Sequence, residues 1–532
     1  MIQGARSARL TRALAVNEHR AAGPSVTNGG QVSVICVDAG TTMIKAAGYD
    51  DGGREVVVVR EPAHVRRPRS GWVEQDMTQV REAAFRAVRS VAHRLPGQIE
   101  FLGVTAQGDG CWLIDGTGAP TGPAVLWNDS RAAGIVERWA DAGLLAEAFR
   151  LNGSVTFAGL PNAILSWMHA HDPGRLAAST AVLTCGGWLF AQLSGVVVME
   201  ESDASAPFGN PRSGRYDRRL LDLFDMAWAE RLLPSVAGDG RRVAPLRDAV
   251  AAEVGLAPGT PVVAAPYDIA STAIGAGVVR PGQACSILGT TLCTQVVTDQ
   301  LALGDEPLGL TVALGLPGRH LRATPTLAGT EVLTWACELL GVDEPSQLFE
   351  LAGQTDPGAS GLVCLPYLSP AGERAPFFEP RASGAFLGLS MEHDRKDIAR
   401  AVVEGLTLVI RDCLAASTVT ATELRLCGGG AANGTWAQLI ADVVGLPVRR
   451  CVDTETGARG AFIMGKVATG AVASAEEAVA RHVVVRDTLE PDPTLAPRYT
   501  ELFDCFLHLR QHAAEGWPRL ASLRGEANRD AM

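Results

Sequence analysis

The chain has 532 residues, more than one ordinary hydrophobic core organises, so two large domains are the expectation. Hydrophobic residues at 47% and charged residues at 20% exclude a disordered chain. Fifty-eight acidic against 47 basic residues leave a net charge of −11, which excludes sequence-independent nucleic-acid binding because that needs a basic footprint.

Residues 1–31 carry Arg6, Arg9, Arg12 and Arg20 against one acid, Glu18, and have no convincing apolar face. They read as a disordered leader outside the fold, with a transit peptide as the compositional alternative. Val32 to Val37 is β-branched and ends at Asp38-Ala39-Gly40-Thr41-Thr42; Met43 to Tyr49 follows at once, so the two read as a hairpin. Val56 to Val59 and Phe101 to Thr105 read as strands, with a helix over Met77 to Leu95 between them. Helical stretches are expected over Ser130 to Phe149, Pro161 to Ala170 and Asp217 to Leu233.

Pro261 to Ala265 is a strand and Ile269 to Ala276 a helix; Arg280-Pro281-Gly282 then marks the turn between domains 32–279 and 280–490. A second round begins: strand Ala284 to Leu288, turn Gly289-Thr290-Thr291, strand Leu292 to Val297. This echoes residues 34–49 and suggests a duplicated architecture. Helices follow at Thr330 to Leu340, Arg395 to Ala416, Thr435 to Val444 and Ala458 to Thr469, with a helical tail (491–532) around Tyr499 to Ala514. Strands alternating with helices define an α/β class. No apolar run reaches the roughly 20 residues of a membrane span. Eleven cysteines, odd in number and without a CxxC pair, fit reduced thiols in a cytoplasm.

Four motifs carry chemistry. In Asp38-Ala39-Gly40-Thr41-Thr42, glycine lets the backbone approach a phosphate, the amides and threonine hydroxyls donate to it, and a strand-end carboxylate can hold Mg2+ through water. One such loop alone is an ordinary hairpin turn; with Gly289-Thr290-Thr291, two loops could grip a triphosphate from opposite sides. Asp268 follows an apolar strand and opens a helix, so it reads either as an N-cap or as a base accepting a hydroxyl proton. Cys427-Gly428-Gly429-Gly430-Ala431-Ala432-Asn433 offers bare backbone for a flat adenine or ribose, or is a flexible connection; it does not meet GxGxxG. Gly460 to Val467 imitates a Walker motif, but Val467 has no hydroxyl for Mg2+ and the stretch reads as helix.

In order and spacing these segments resemble the FGGY family of carbohydrate kinases, a branch of the actin-like ATPases, from about Val32 to about Gly470. Trp72-Val73-Glu74-Gln75-Asp76, Gly103 to Gln107, Leu126 to Ala132, Gly372 to Phe378 and Gly384 to Leu389 extend the resemblance. It implies two actin-like (ribonuclease H-like) α/β domains flanking a cleft, with ATP and Mg2+ as cofactors. It further implies Asp268 as catalytic base, Asp38 near Mg2+, and Gly40, Thr41 and Thr42 as one phosphate loop, with Gly289, Thr290 and Thr291 as the other. Gly429, Gly430 and Asn433 fall on the adenosine stretch; Trp72, Gln75, Gln107, Asp109 and Asp129 lie on the sugar side, with Asp76 supporting that wall through backbone hydrogen bonds.

Gly108 and Asp109 stand where glycerol kinases carry Arg-Glu, and the Met-His pair that xylulose kinases usually carry in that region is also absent. Gln107 to Asp115 is instead similar to the erythritol and L-xylulose kinase branch. The implied acceptor is a small polyol or ketose, with erythritol leading and a pentulose as alternative. A non-catalytic actin-like ATP sensor is the rival of another class. The expected partners are the small-molecule substrate and, as family members often assemble, a second copy of the chain; no nucleic acid and no membrane are expected.

Overall fold

The computed structural model describes residues 32–238, 242–301, 303 and 307–530, the side chains of 525–530 excepted. The expected leader therefore lies outside the described residues. Strand β1 (Val32–Ala39) pairs antiparallel with β2 (Met43–Tyr49), which pairs with β3 (Glu55–Pro62). On its other edge β1 runs parallel to β4 (Gln98–Ala106); β5 (Val243–Pro245) and β6 (Pro261–Ala264) complete a six-stranded sheet of order β5-β6-β4-β1-β2-β3. Val34, Ile35, Cys36 and Val37 are all buried because β1 is central and covered on both faces, hence its unbroken apolar run. Helix α1 (Met77–Ala92) covers one face through Val80, Ala84, Phe85 and Val88, and Asp76 caps it by accepting from the Gln79 amide.

The second half repeats the plan. Central β7 (Gln283–Leu288) pairs antiparallel with β8 (Leu292–Thr298); β9 (Leu310–Ala313) and β10 (His320–Pro325) follow on that side. Parallel to β7 run β11 (Glu423–Cys427) and β12 (Val448–Cys451), with β13 (Val485–Leu489) at the edge; the order is β9-β10-β8-β7-β11-β12-β13. A central strand flanked by its own hairpin partner on one side and parallel strands on the other recurs in both sheets. The short echo between residues 34–49 and 284–297 thus extends to whole sheets.

Two expected helical stretches are each divided. Ser130 to Phe149 becomes Ala133–Asp141 and Leu144–Asn152, because Gly143 sits at φ 75°, a left-handed conformation that ends a right-handed helix. Asp217 to Leu233 becomes helix Arg218–Leu223, capped by Asp217, and a 3-10 turn Ala227–Leu232; Asp225 at φ 56° breaks the run. The tail is not peripheral. Tyr499, Phe503 and Phe506 of helix Ala496–Ala514 enter the second core beside α3 (Arg395–Ala416) and α4 (Gly434–Val444). Among the described residues, no helix is long and apolar enough to cross a membrane.

The halves meet where α5 (Thr456–Ala468), from the second, crosses α2 (Asp268–Gly275), from the first. A Cβ at Gly460 would fall 1.8 Å from the Ser271 carbonyl oxygen, and one at Gly275 would fall 1.9 Å from that of Thr456. Only glycine permits this approach. The rejected Walker stretch is the body of α5, with Lys466 paired to Glu100 at 2.5 Å.

Candidate active site

Asp38, at the end of β1, is buried and faces Lys45 across the β1–β2 hairpin, the two being register partners. Among the described residues no donor is hydrogen-bonded to the Asp38 carboxylate. Burial, with a smaller push from Glu455, raises it to about 6 despite the opposing Lys45 charge. A Cβ at Gly457, in the first turn of α5, would come within 2.6 Å of Asp38 Oδ2, so the second half presents bare backbone to this carboxylate. Lys45 Nζ lies 3.1 Å from Glu455 Oε2, and Arg60 binds the other Glu455 oxygen, tying the two halves beside Asp38.

The Gly40-Thr41-Thr42 turn is held by a closed hydrogen-bond ring. Thr41 Oγ1 donates to Gln107 Oε1 at 2.8 Å and accepts from Trp127 Nε1 at 3.0 Å. Gln107 Nε2 donates to Gln75 Oε1, and Gln75 Nε2 returns to the Thr41 carbonyl, both at 2.8 Å. Gln75 and Gln107 thus engage both ends of their amides with this ring; they orient Thr41 and Trp127.

Asp268 is the first residue of α2. It is not the N-cap: Tyr267 holds that position, and Asp268 Oδ1 accepts only from its neighbour's amide, Ile269 N, at 2.7 Å. Thr105 and Ser271 hydroxyls both donate to Pro266 O, and the Tyr267 amide donates to Ser202 Oγ, so the turn entering α2 is rigid. Gln295 of β8 donates to Ile269 O, bringing the strand after the second Gly-Thr-Thr turn against Asp268. Burial first, then the Asp38 and Asp109 charges, raises Asp268 to about 8.

Asp109 sits at φ 55°, beside Gly108, whose missing Cβ leaves room for the Tyr267 ring. Its carboxylate makes no hydrogen bond or ion pair among the described residues, and burial raises it to about 7 against the lowering effect of Arg374. Behind these carboxyls Asp203, with Oδ1 buried and unpartnered, is pushed well above its ordinary range by burial and Glu200. Such clustering of carboxyls that raise one another is typical of proton-transfer sites.

Two expected sugar-side residues are engaged by protein neighbours. Asp129 is fully buried: its oxygens accept from Val73 N at 2.6 Å, Arg131 N at 2.8 Å and the Arg131 guanidinium, leaving no oxygen for a ligand. Trp72 is sandwiched by the Arg131 guanidinium at 3.9 Å and the edge of Trp167 at 5.2 Å. Lys45, Trp127, Arg374 and Glu455 were missed in the sequence. For Lys45 a signal was available, since a tight hairpin of known register pairs it with Asp38; for the others only the tertiary fold decides.

On the opposite side, a cavity of about 690 Å3 is lined by Gly289, Thr290, Gly429, Gly430, Asn433 and Phe349, among others. Thr330 N and Oγ1 both donate to Gly289 O at 2.9 Å, fixing the second turn. Gly428 is at φ 80°, and Gly430 is pressed between Trp436 and Leu288. Gly429 has nothing within 4 Å of its missing Cβ and is open to a ligand. Asn433 caps α4, accepting from Trp436 N at 2.8 Å, which leaves its amide NH2 for the cavity. The volume suits a nucleotide-sized ligand.

Residues 33–275 match the N-terminal domain, and residues 284–469 the C-terminal domain, of the FGGY family of carbohydrate kinases. The chain is 34% identical over 515 residues to an erythritol kinase of Brucella abortus, covering 92% of this chain and 98% of that protein. It is 30% identical to the L-xylulose/3-keto-L-gulonate kinase of Escherichia coli, covering 89% and 95% respectively. A xylulose kinase structure from Rhodospirillum rubrum superposes with a TM-score of 0.83 at 26% identity, covering 91% of this chain and 99% of that one.

Proposed function

The chain belongs to the FGGY family of carbohydrate kinases, and we propose that it transfers the γ-phosphoryl group of ATP to a hydroxyl of a small polyol, erythritol first. The observation that carries this reading is Asp268: a half-buried carboxyl on a rigid turn, with one oxygen free, near enough to Asp38 to feel its charge, and with its neighbour Ile269 bonded to the strand that follows the second Gly-Thr-Thr turn. The Brucella relative's name supports erythritol. That of the Escherichia relative supports a pentulose such as L-xylulose as the second reading.

The acceptor hydroxyl attacks the γ-phosphorus while Asp268 takes its proton, and the bond to the ADP oxygen breaks. Phosphoryl transfer passes through a loose transition state, so alignment and charge neutralisation contribute more than the base. On one side Gly40 lets the backbone approach the phosphates while the Thr41 and Thr42 amides and the Thr42 hydroxyl donate to them, and on the other side Gly289, Thr290 and Thr291 do so; Gly429, Gly430 and the Asn433 amide hold the adenosine. Asp38, buried and free of protein donors beside the bare Gly457 backbone, fits Mg2+, which would neutralise phosphate charge. Among the described residues no three His, Cys, Asp or Glu side chains converge as a metal cage, so the phosphates and water would supply the remaining ligands. Lys45, on the same hairpin, adds positive charge. A cytoplasmic location completes the proposal, supported by eleven free cysteines, nine of them buried.

The test is ADP release from Mg·ATP across erythritol, threitol, glycerol, L-xylulose, D-xylulose and D-ribulose, with Asp268→Asn as control. Stimulation by erythritol, reduced about 10²–10⁴-fold in the variant, is expected. ATP binding without stimulation by any compound would instead favour a non-catalytic sensor.

A further inference from the structure

Arg374 comes from the second half, in Gly372-Glu373-Arg374-Ala375-Pro376, yet its guanidinium lies over side chains of the first. Its Cζ is 5.4 Å from the Trp127 ring centre and 5.6 Å from that of Phe157. The segment is clamped from behind: Glu373 accepts from Leu327 N at 2.6 Å, Ala328 N at 3.1 Å and Arg374 N at 2.9 Å. Arg374 Nε donates to Pro325 O at 3.0 Å. Among the described residues, its two terminal nitrogens have no hydrogen-bond partner. Asp109, on the first half, is in the same condition: a carboxylate without a donor, held at φ 55°, a strained backbone that functional sites tolerate. Gly110, next to Asp109, donates its amide to Gly159 O at 3.1 Å, on the loop whose Phe157 lies under Arg374, so the two side chains come from adjoining walls; their charges reach each other, but they form no ion pair.

We propose that Arg374 and Asp109 together read the non-reacting end of the acceptor, and that Arg374 thereby makes acceptor recognition depend on both halves of the chain. The inference rests on the kinase reading above and narrows its substrate class. A guanidinium only donates and a carboxylate only accepts, whereas a hydroxyl does both. Adjacent hydroxyls of an uncharged acceptor satisfy the two side chains at once. An acceptor with a carboxylate at that end satisfies Arg374 but is repelled by Asp109 in its ionised form. The site therefore selects neutral polyhydroxy compounds over aldonates, and Asp109 is the element that turns the charged compound away.

The test uses the full chain, wild type and the variants Arg374→Gln, Arg374→Lys, Asp109→Asn and the double Asp109→Asn/Arg374→Gln, with erythritol and its aldonate, erythronate, as probes. Arg374→Gln is expected to raise the KM for erythritol about 10-fold or more, with the KM for ATP changed less than about 2-fold. Arg374→Lys should fall between, since it keeps the charge without the planar fork. Asp109→Asn should raise the erythronate-to-erythritol ratio of kcat/KM by about 10-fold, and the double variant should lose that gain. Equal rises in both KM values with a lowered Tm, or no gain of erythronate in Asp109→Asn, would overturn the inference. If the wild type turned over none of the compounds, the kinase reading would fall on its own. Quenching of tryptophan fluorescence by the same two probes would then decide, with Trp127 beneath Arg374 as reporter. A response unchanged in Arg374→Gln, or none in either protein, would overturn the inference as well.

Discussion

A carboxyl raised to about 8 within a protein is a liability to the fold that contains it, and Asp268 carries that liability at the point of proposed chemistry. Its ordinary value is 3.8, so between about pH 4 and pH 8 the folded chain binds more protons here than the unfolded chain, and stability falls as pH rises across that window. Asp268→Asn is therefore expected to raise the Tm of the ligand-free protein at pH 8, with the gain shrinking toward pH 4, while turnover is lost. Thermal unfolding of both proteins across that range checks it; a variant less stable at pH 8 would mean that the Asp268 carboxylate is stabilised by the fold. The sequence led to Asp38 by its place at a strand end before a glycine turn, and to Asp109 and the base role of Asp268 through the family resemblance. It did not show that Asp129 is engaged, since nothing local in Trp127-Asn128-Asp129 reveals that the carboxylate turns inward onto Val73 N and Arg131.

Helix α5 shows what an element's glycines decide. Gly457 and Gly460 lie three apart on one helix face, which meets Asp38 and α2; the sequence indicates the helix but not which face packs. Gly460→Ala would place a methyl 1.8 Å from a backbone oxygen and must push α2 away, an overpacking cost of about 1–3 kcal/mol or more. Gly429→Ala meets nothing within 4 Å and should leave stability unchanged. On the proposed nucleotide role it should nonetheless raise the KM for ATP, because the methyl enters the cavity beside β7 and α4. Urea unfolding and ATP titration of the two variants separate a packing glycine from a ligand-facing one. Helices with caps or strong periodicity were legible to within a few residues, as for Thr330–Leu340 and Arg395–Ala416. The two divided helices were not, because Gly143 and Asp225 adopt left-handed backbones that composition does not announce.

At the scale of the molecule, Glu455 joins the halves, with only 5% of its side chain exposed, between Lys45 and Arg60 of the first sheet. Glu455→Gln keeps the shape and removes the charge, so it should destabilise by about 1.5–3 kcal/mol, less the screening at the partly exposed Lys45 and Arg60. A loss confined to the contact between halves would appear in urea as a first transition at lower denaturant; a single unshifted transition would count against the clamp. The sequence by itself determined the α/β class, the duplicated strand–turn–strand units and the family resemblance, since these rest on periodicity, glycine turns and motif order along the chain. Tertiary structure alone decided which polar groups remain free. Gln75 and Gln107 are engaged by residues 32 to 66 positions away, and Asp129 by Val73 as well as nearby Arg131, while Asp109 and Arg374, 265 positions apart, come from adjoining walls without pairing. A side chain's availability depends on every group that packs around it, and no local pattern encodes that.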